Sequence, residues 1–318
     1  MSEPISVVIP AYNSEAFIAK AVDSVLAQEL LPDEIIIVDD GSSDGTQSVV
    51  EKLIAGQQDK KPRIKYIHQT NQGPAVARNT GIKNAAGDYI AFLDADDRWL
   101  PARLKKQVAI LQARPEVGLV CSGRFRVEET TGRKTIDCKG SKLSDDSYRD
   151  LWTQGNYVVT STVLARKQCF QEVGGFDEDR RVLGCEDAGM WLRIAGRFAV
   201  AYVNEPLVEY LVRTSGLNRS NIQRSYEAAI FSLQKHEPEF RKRCVDAESV
   251  IRQQWGRTYH AWGLALFNEE QFTQAREKFQ IAMVYRRYSP PTIRFYLLTL
   301  LGPFVLKKVK QLKRMMRG

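Results

Sequence analysis

The sequence Tyr89-Ile-Ala-Phe-Leu-Asp-Ala-Asp-Asp97 places the carboxylates of Asp94, Asp96 and Asp97 directly after a short apolar run. An apolar run of this length predicts a buried strand, and open α/β sheets carry their chemistry at the carboxyl ends of the strands. Carboxylates packed this closely repel one another, so a hard divalent cation or a cationic ligand between them would stabilise the group. The alternative is an ordinary solvated turn, because an Asp-x-Asp pattern alone is a weak signal.

A second acidic strand end lies nearer the N-terminus. Residues 5–9 form a β-branched run that Pro10 ends, and an amphipathic pattern over residues 15–28 predicts a helix. The next buried-strand pattern, Glu34-Ile-Ile-Ile-Val-Asp-Asp40, leads into the turn residues Gly41-Ser-Ser-Asp-Gly-Thr46. A loop with free backbone N–H groups beside an aspartate suits a nucleotide. An ordinary turn between a strand and a helix is the alternative.

A third segment of the same kind precedes the acidic run. Residues 63–68 are predicted to form a strand, and the next helix is expected to extend to about Ala86. Strand candidates that alternate with helical patterns predict a three-layer α/β domain with a parallel sheet. Strand ends gather at one edge of such a sheet, so several polar side chains are expected to face one cleft. They are Asp40, Arg78, Asp94 and Asp96.

Six segments stand in a fixed order along the chain: Val7-Val-Ile-Pro-Ala-Tyr-Asn13, Val38-Asp-Asp-Gly-Ser-Ser-Asp-Gly-Thr46, Asn71-Gln-Gly73 with Ala77-Arg-Asn79, Phe92-Leu-Asp-Ala-Asp-Asp97, Val173-Gly-Gly-Phe-Asp177, and Glu186-Asp187 before Trp191-Leu-Arg193. This order resembles the family 2 nucleotide-sugar glycosyltransferases of bacterial surface-glycan type. The resemblance covers roughly residues 4–215. It implies an inverting enzyme with the GT-A fold, a Rossmann-like three-layer sandwich whose sheet is mixed and mostly parallel.

The resemblance also implies how the nucleotide is held. Tyr12, together with the backbone of Pro10 and Ala11, would line the nucleobase pocket, and Asp40 would accept a hydrogen bond from the base. Aromatic stacking and one carboxylate acceptor suit uracil, so a UDP-sugar is the expected donor. Arg78 belongs to the same expected set of nucleotide-binding residues.

The acidic run takes the metal in this family. Asp94 would contact the ribose or assist the metal, and Asp96 would ligate Mg²⁺ or Mn²⁺ on the donor diphosphate. Hard oxygen ligands on a phosphate-bound cation fit these ions. Asp97 is a weaker candidate, because it could simply pair with the neighbouring Arg98.

The catalytic base is expected in the second half of the domain. Inverting transfer is a single displacement, so a carboxylate must accept the proton of the attacking hydroxyl. Asp187 matches the family's base, and Glu186 would orient the helix or the acceptor. The structural alternative is that both acids only favour the positive start of the following helix. Arg213 stands where the family carries a histidine, and it is either a diphosphate contact or an ordinary surface arginine.

Charge and composition indicate three regions. With 318 residues and 43% hydrophobic content, the chain can form one large domain and an accessory unit. We expect a GT-A domain over residues 1–215, a helical accessory region with a tetratricopeptide-like hairpin over 216–289, and a basic amphipathic tail over 290–318. Residues 281–318 carry nine Lys and Arg and no acid, so the net charge of +8 comes from this C-terminal segment. No nucleic-acid motif accompanies it, and no nucleic-acid partner is expected.

The tail also contains an apolar stretch at residues 293–306, directly before its lysines. This stretch is shorter than the ~20 residues needed to span a bilayer, so it predicts a helix lying on an anionic membrane surface. A helix docked on the protein or on another subunit is the alternative. The five widely spaced cysteines indicate reduced thiols, and the first strand begins at Ile5, which leaves no room for a signal segment before it. The expected location is cytoplasmic, on the inner face of the cell membrane.

The function predicted from the sequence is a metal-dependent inverting transfer of a sugar from a nucleotide-sugar donor to a hydroxyl of a glycan or lipid-linked saccharide. Two alternatives remain at this point. One is a nucleotidyltransferase, although the opening Pro10-Ala-Tyr-Asn-Ser14 lacks the basic residues that grip a triphosphate. The other is a catalytically silent nucleotide-sugar-binding or scaffold protein.

Overall fold

The computed structural model describes residues 3–57, 60–138, 140, 146–154, 157–213, 221–286 and 289–301. Two compact units are present, Met1–Gly216 and Leu217–Gly318. The expected boundaries at 215/216 and 289/290 remain a prediction. Residues 302–318, which make up most of the expected basic tail, lie outside the described residues.

The part of the first unit that the structure describes is built around a nine-stranded mixed sheet. Four neighbouring strands, in the order β3-β2-β1-β4, run parallel, β8 runs antiparallel between β4 and β6, and β6 pairs in parallel with β9. The strands are β1 (Ile5–Ala11), β2 (Glu34–Asp39), β3 (Arg63–His68), β4 (Tyr89–Phe92), β5 (Arg98–Trp99), β6 (Val117–Glu128), β7 (Lys134–Asp137), β8 (Leu164–Arg166) and β9 (Ala199–Val212). The expected mixed, mostly parallel sheet of a three-layer α/β fold is confirmed.

In the described residues of this unit, seven α-helices connect the strands. They are α1 (Ile18–Leu26), α2 (Thr46–Gly56), α3 (Pro74–Asn84), α4 (Arg103–Ala113), α5 (Ser147–Gln154), α6 (Lys167–Val173) and α7 (Glu186–Ala195). The first helix begins later than the expected residue 15. The Glu15 side chain is used elsewhere: one carboxylate oxygen accepts from the backbone N–H of Gly45.

The central strands are buried on both faces because helices cover the parallel part of the sheet. Every residue of β2 and β4 is buried. In the parallel pairing, Ala11 of β1 lies opposite Asp39 of β2, and Val8 of β1 lies opposite Phe92 of β4. The carboxyl ends of β2 and β4 therefore flank the end of β1, and the acidic residues that follow them reach one edge of the sheet.

The second unit is helical in its described part. It contains α8 (Ile222–Arg243), α9 (Ala247–Asn268), α10 (Phe272–Tyr285) and α11 (Pro290–Thr299). Close approach of α9 and α10 depends on Gly263, because a Cβ at this position would lie 2.6 Å from the Phe279 ring. The pair α9–α10 is a helical hairpin, and its likeness to a tetratricopeptide unit remains a prediction. No helix in the described ranges is long and apolar enough to cross a membrane.

Candidate active site

Asp40, the first residue after β2, holds the loop between β3 and α3 with its carboxylate. This carboxylate is 4% exposed and accepts from Gln69 Nε2 (2.7 Å), Gln72 N (2.9 Å) and Gly73 N (2.7 Å). It thereby fastens the loop between β3 and α3 to the end of β2. A carboxylate has about four acceptor positions, so one remains on Oδ2. The expected contact of Asp40 with the base stays a prediction.

The end of β1 lies between the two acidic strand ends. Ala11 is buried and Pro10 half-buried, whereas the Tyr12 ring is 54% exposed and can receive a flat ligand. The chain turns sharply at Asn13, whose φ of 47° is unusual for a residue other than glycine. Asn13 Oδ1 accepts from the backbone N–H of Ser43, which ties this turn to the loop after β2.

The three aspartates after β4 differ in solvent exposure. The side chains of Asp94 and Asp96 are 29% and 31% exposed, while Asp97 is 1% exposed and turned inward. Asp97 Oδ2 accepts from Ser161 Oγ (2.5 Å), and Oδ1 accepts from Leu211 N (2.9 Å). The expected alternative, a pair between Asp97 and Arg98, is wrong: successive residues of an extended chain point to opposite sides, and the Arg98 side chain is exposed on β5.

Burial and mutual repulsion disturb the ionisation of this group. Burial, followed by the charge of Asp94, raises the pKa of Asp96 to about 6, although Arg213 acts in the opposite direction. Burial and the charges of Asp96 and Asp94 also raise the pKa of Asp97. Carboxylates with raised pKa values in a cleft are typical of functional sites.

Arg78, on α3, joins the acidic loop, residues 94–97, to the start of α7. Its guanidinium is 7% exposed and donates to Asp94 Oδ1 (2.9 Å) and to Glu186 Oε1 (2.8 Å). Burial disfavours the charged form, but the charges of Asp94 and Glu186 outweigh burial and raise the pKa of Arg78. The guanidinium also lies 5.5 Å from the centre of the Phe176 ring. Arg78 therefore holds two carboxylates of the cleft, and its expected contact with the nucleotide stays a prediction.

The first turn of α7 carries the expected base. Glu186 Oε2 accepts from Gly184 N (2.6 Å), and Asp187 Oδ1 accepts from Ala188 N (2.6 Å). Burial and the charge of Glu186 raise the pKa of Asp187 to about 7, against the opposing charge of Arg78. Glu186 is thus partly a helix-start residue, as the structural alternative proposed. The expected role of Asp187 as the base stays a prediction.

Arg213 lies beside the acidic loop. Its Nη1 is 3.8 Å from Asp96 Oδ2, its Nε is 3.7 Å from Glu129 Oε1, and its guanidinium lies 4.7 Å from the centre of the Phe17 ring. The side chain is 32% exposed. A guanidinium in this position can meet an anion bound to the loop, and the expected diphosphate contact of Arg213 stays a prediction.

Several residues with structural roles here have no recognisable signal in the sequence. Ser161 and Glu129 contact the acidic loop and Arg213, but they come from segments without a motif. Asn79 and Phe176 do lie in two of the ordered segments, yet only the structure shows their contact. Phe176 N donates to Asn79 Oδ1 (2.7 Å), and Asn79 Nδ2 donates to Phe176 O (2.9 Å).

The residues present fit a divalent cation that is shared with a ligand. In the described ranges, no three His, Cys, Asp or Glu side chains form a ready-made metal cage. Mg²⁺ in sugar and phosphate enzymes usually takes one or two carboxylates and completes its shell with phosphate oxygens and water. Asp94 and Asp96 would supply that donor set, and the raised pKa of Asp96 shows that burial and the charge of Asp94 outweigh the opposing charge of Arg213.

Comparison with known proteins identifies the family. Residues 6–174 match the model of glycosyl transferase family 2. The chain is 37% identical over 180 residues to a glycosyltransferase of Nostoc sp., covering 54% of each protein. It is 31% identical over 208 residues to a putative teichuronic acid biosynthesis glycosyltransferase, TuaG, of Bacillus subtilis, covering 65% of this chain and 78% of that protein. The chain therefore belongs to glycosyl transferase family 2.

Solved structures agree on the fold. The chain superposes on S. aureus TarS 1–349 in complex with UDP-GlcNAc with a TM-score of 0.66 and 19% identity, covering 97% of this chain and 92% of that one. The chain also superposes on the mannosyltransferase PcManGT of Pyrobaculum calidifontis, in complex with GDP-Man and Mn²⁺. The TM-score is 0.62 and the identity 18%, covering 98% of this chain and 88% of that one. The expected GT-A fold is confirmed. The match to the Nostoc protein spans only about half of that protein's length.

Proposed function

We propose that the protein transfers a sugar from a nucleotide-sugar donor to a hydroxyl group, with inversion at the anomeric carbon and with the help of Mg²⁺ or Mn²⁺. The contacts of Arg78 carry this proposal, because they bring the acidic loop and the start of α7 side by side. One guanidinium binds both Asp94 and Glu186. Inverting transfer needs this arrangement: the leaving group on one side of the anomeric carbon and the base within reach of the other.

Asp187 is the proposed base. The acceptor hydroxyl attacks the anomeric carbon, the bond to the nucleoside diphosphate breaks, and the Asp187 carboxylate accepts the hydroxyl proton. A base is most effective when its pKa lies near the working pH, and burial beside Glu186 raises the pKa of Asp187 to about 7. Glu186 orients this part of the helix through its bonds to Arg78 and to the N–H of Gly184.

The donor diphosphate is proposed to lie against Asp96 and Arg213. Asp96, assisted by Asp94, would hold the divalent cation, which neutralises the charge that develops on the departing nucleoside diphosphate. Arg213, 3.8 Å from Asp96 Oδ2, would donate to the phosphate oxygens.

The base of the nucleotide is proposed to lie at the end of β1. The exposed ring of Tyr12 would stack on it, the backbone of Pro10 and Ala11 would line its edge, and Asp40 would accept from a base N–H through its remaining acceptor position. A single carboxylate acceptor is matched by the N3–H of uracil. UDP-sugars are the proposed donors.

The acceptor is proposed to be a glycan or a lipid-linked saccharide at the inner surface of the cell membrane. Support comes from α11, where Leu297, Leu300 and Leu301, at and just beyond the end of the helix, are each at least half exposed, and from the sequence that follows, which has six Lys and Arg and no acid. An apolar face next to a basic segment suits an anionic membrane. Removal of residues 302–318 should abolish co-sedimentation with anionic vesicles; unchanged co-sedimentation would exclude this basic segment as the anchor.

Thermal stability with ligands tests the proposed function. UDP, GDP and their sugar conjugates are added to the protein, each with and without Mn²⁺, and the shift in Tm is measured. We expect a rise with uridine nucleotides that is larger when Mn²⁺ is present. A rise without any subsequent sugar transfer would favour the silent binding protein. A preference for nucleoside triphosphates would favour the nucleotidyltransferase.

A further inference from the structure

The buried Asp97 is the acid of the loop that the proposed function does not use. It cannot meet a ligand as Asp94 and Asp96 can, because it is 1% exposed and both of its carboxylate oxygens accept hydrogen bonds from the protein. Placing a third carboxylate in this group is unfavourable, since it is buried beside two like charges. A role for Asp97 has to come from what it binds inside the protein.

One carboxylate oxygen of Asp97 connects the acidic loop to Ser161 through a hydrogen bond. Ser161 Oγ donates to Asp97 Oδ2 (2.5 Å) and accepts from the backbone N–H of Asp94 (3.1 Å). The backbone N–H of Asp97 donates in turn to the carbonyl of Asp94 (3.0 Å). Ser161 is itself immobilised, because it is fully buried and its carbonyl accepts from Trp99 Nε1 (2.9 Å). The loop that presents Asp96 is therefore fixed at both of its flanking residues.

The other oxygen of Asp97 reaches β9. Strand β5 pairs with β9 through Arg98–Glu209 and Trp99–Val208. Beyond this pairing, Asp97 Oδ1 accepts from the N–H of Leu211 (2.9 Å), two residues before Arg213. The side chain thus continues the contact between the two segments where the strand pairing stops.

We infer that Asp97 is a positioning residue that sets the spacing between Asp96 and Arg213, the two side chains proposed to hold the donor diphosphate. The inference rests on the proposed function. Asp97 itself touches neither metal nor substrate. It fixes the loop of Asp96 through Ser161 and the strand end of Arg213 through Leu211, and the two side chains stand 3.8 Å apart between Nη1 and Oδ2.

The test compares nucleotide binding with and without metal in Asp97→Ala and Asp97→Asn. The ligand is whichever of UDP and GDP stabilises the wild-type protein, titrated calorimetrically in Mn²⁺ and again in EDTA. Asp97→Ala should raise the Kd in Mn²⁺ by at least about tenfold, the scale of a lost hydrogen bond to a charged group, and should raise the Kd in EDTA much less. Asp97→Asn, which keeps an acceptor for Leu211 and a donor for Ser161, should restore most of the binding in Mn²⁺.

A matched control separates positioning from general stability. Glu34 is also a buried carboxylate with several partners, but it lies at the opposite end of β2. Glu34→Gln should lower Tm and leave both Kd values unchanged. Ser161→Ala, which removes the hydroxyl and keeps the carbonyl for Trp99, is the second variant should Asp97→Ala not fold, and it should weaken binding in Mn²⁺ selectively.

Three outcomes would overturn the inference. They are unchanged binding in folded Asp97→Ala and Ser161→Ala, equal losses in Mn²⁺ and in EDTA, and an equal loss in Asp97→Asn and Asp97→Ala. A wild-type protein that binds neither nucleotide would overturn the proposed function as well. Normal wild-type binding with unaffected variants would overturn the inference alone.

Discussion

The carboxylates at the amino and carboxyl edges of the central sheet have pKa values that are shifted in opposite directions. At the amino end, Glu34 accepts from Ser6 Oγ and Ala86 N, both at 2.6 Å, and pairs with Lys65. Burial would raise its pKa, but these hydrogen bonds and the lysine charge outweigh burial and lower it. Asp33, beside it, has a lowered pKa because bonds from Ile5 N and Lys61 outweigh its burial.

At the carboxyl end, the pKa values move the other way. Burial and a neighbouring carboxylate raise the pKa of Asp96 to about 6 and that of Asp187 to about 7. The two edges belong to one sheet, so the difference does not come from the fold type. It comes from the surroundings of each carboxylate: at the amino edge, hydrogen bonds and lysine charges outweigh burial for Glu34 and Asp33, whereas at the carboxyl edge, burial and a neighbouring carboxylate dominate for Asp96 and Asp187.

The largest expected effect is on the base. Asp187→Asn keeps the size of the side chain and removes its ability to accept a proton. We expect a loss in kcat of roughly a thousandfold, within the usual range for general-base catalysis, with the Kd of the nucleotide within about twofold of wild type. Sugar-transfer assays and calorimetry measure the two quantities. A variant with near-normal kcat would show that the raised pKa at this edge does not mark the base.

Removal of the proposed metal ligand comes next. Asp96→Ala should weaken Mn²⁺-dependent donor binding by about a hundredfold, or nearly 3 kcal/mol, because the cation loses its main protein ligand. Binding in EDTA should be much less affected. Glu34→Gln is again the control from the other edge. If the two variants lost binding equally, the contrast between the edges would be one of stability alone.

A pH profile gives a more moderate effect. The folded pKa of Asp187 is raised to about 7, so its carboxylate is protonated, and inactive as a base, below that pH. We therefore expect kcat/KM to fall about tenfold per pH unit below the pKa and to level off above it. A profile that stays flat from pH 5 to 8 would contradict the assignment.

The smallest expected effect concerns the amino edge. Glu34→Gln should reduce the free energy of unfolding by about 1–2 kcal/mol, since it removes the charge that Lys65 meets and weakens two buried hydrogen bonds. Because the pKa of Glu34 is lowered in the folded state from its ordinary value of 4.5, the stabilisation is complete above pH 4.5 and is lost as the pH falls through the lowered value. Chemical denaturation at pH 7 and at pH 3 should give a larger difference between variant and wild type at pH 7.

Sequence patterns predicted the local features well. The acidic run after β4, the strand end at Asp40 and the helix that starts at Glu186 all depend on apolar periodicity and turn residues over short stretches, and the structure places them as expected. The resemblance of the ordered segments to family 2 added the family itself, which the comparisons confirm.

The sequence did not predict the contacts between residues that are far apart along the chain. Arg78 and Glu186 are 108 residues apart, and no local pattern states which carboxylates a buried arginine will meet. Asp97 was misjudged for the same reason: its neighbour Arg98 is close in sequence, but its partners Ser161 and Leu211 are close only after the sheet has formed.

The double contact of Arg78 also has a consequence for synthesis. A chain emerging from the ribosome delivers Arg78 and Asp94 long before Glu186, so a partly made domain that buried the arginine would leave it with half of its counter-charge. An unbalanced buried charge is strongly unfavourable, and contacts over long sequence separations form late. Stable closure around this guanidinium therefore has to wait until α7 has been made, which links assembly of the cleft to completion of the domain.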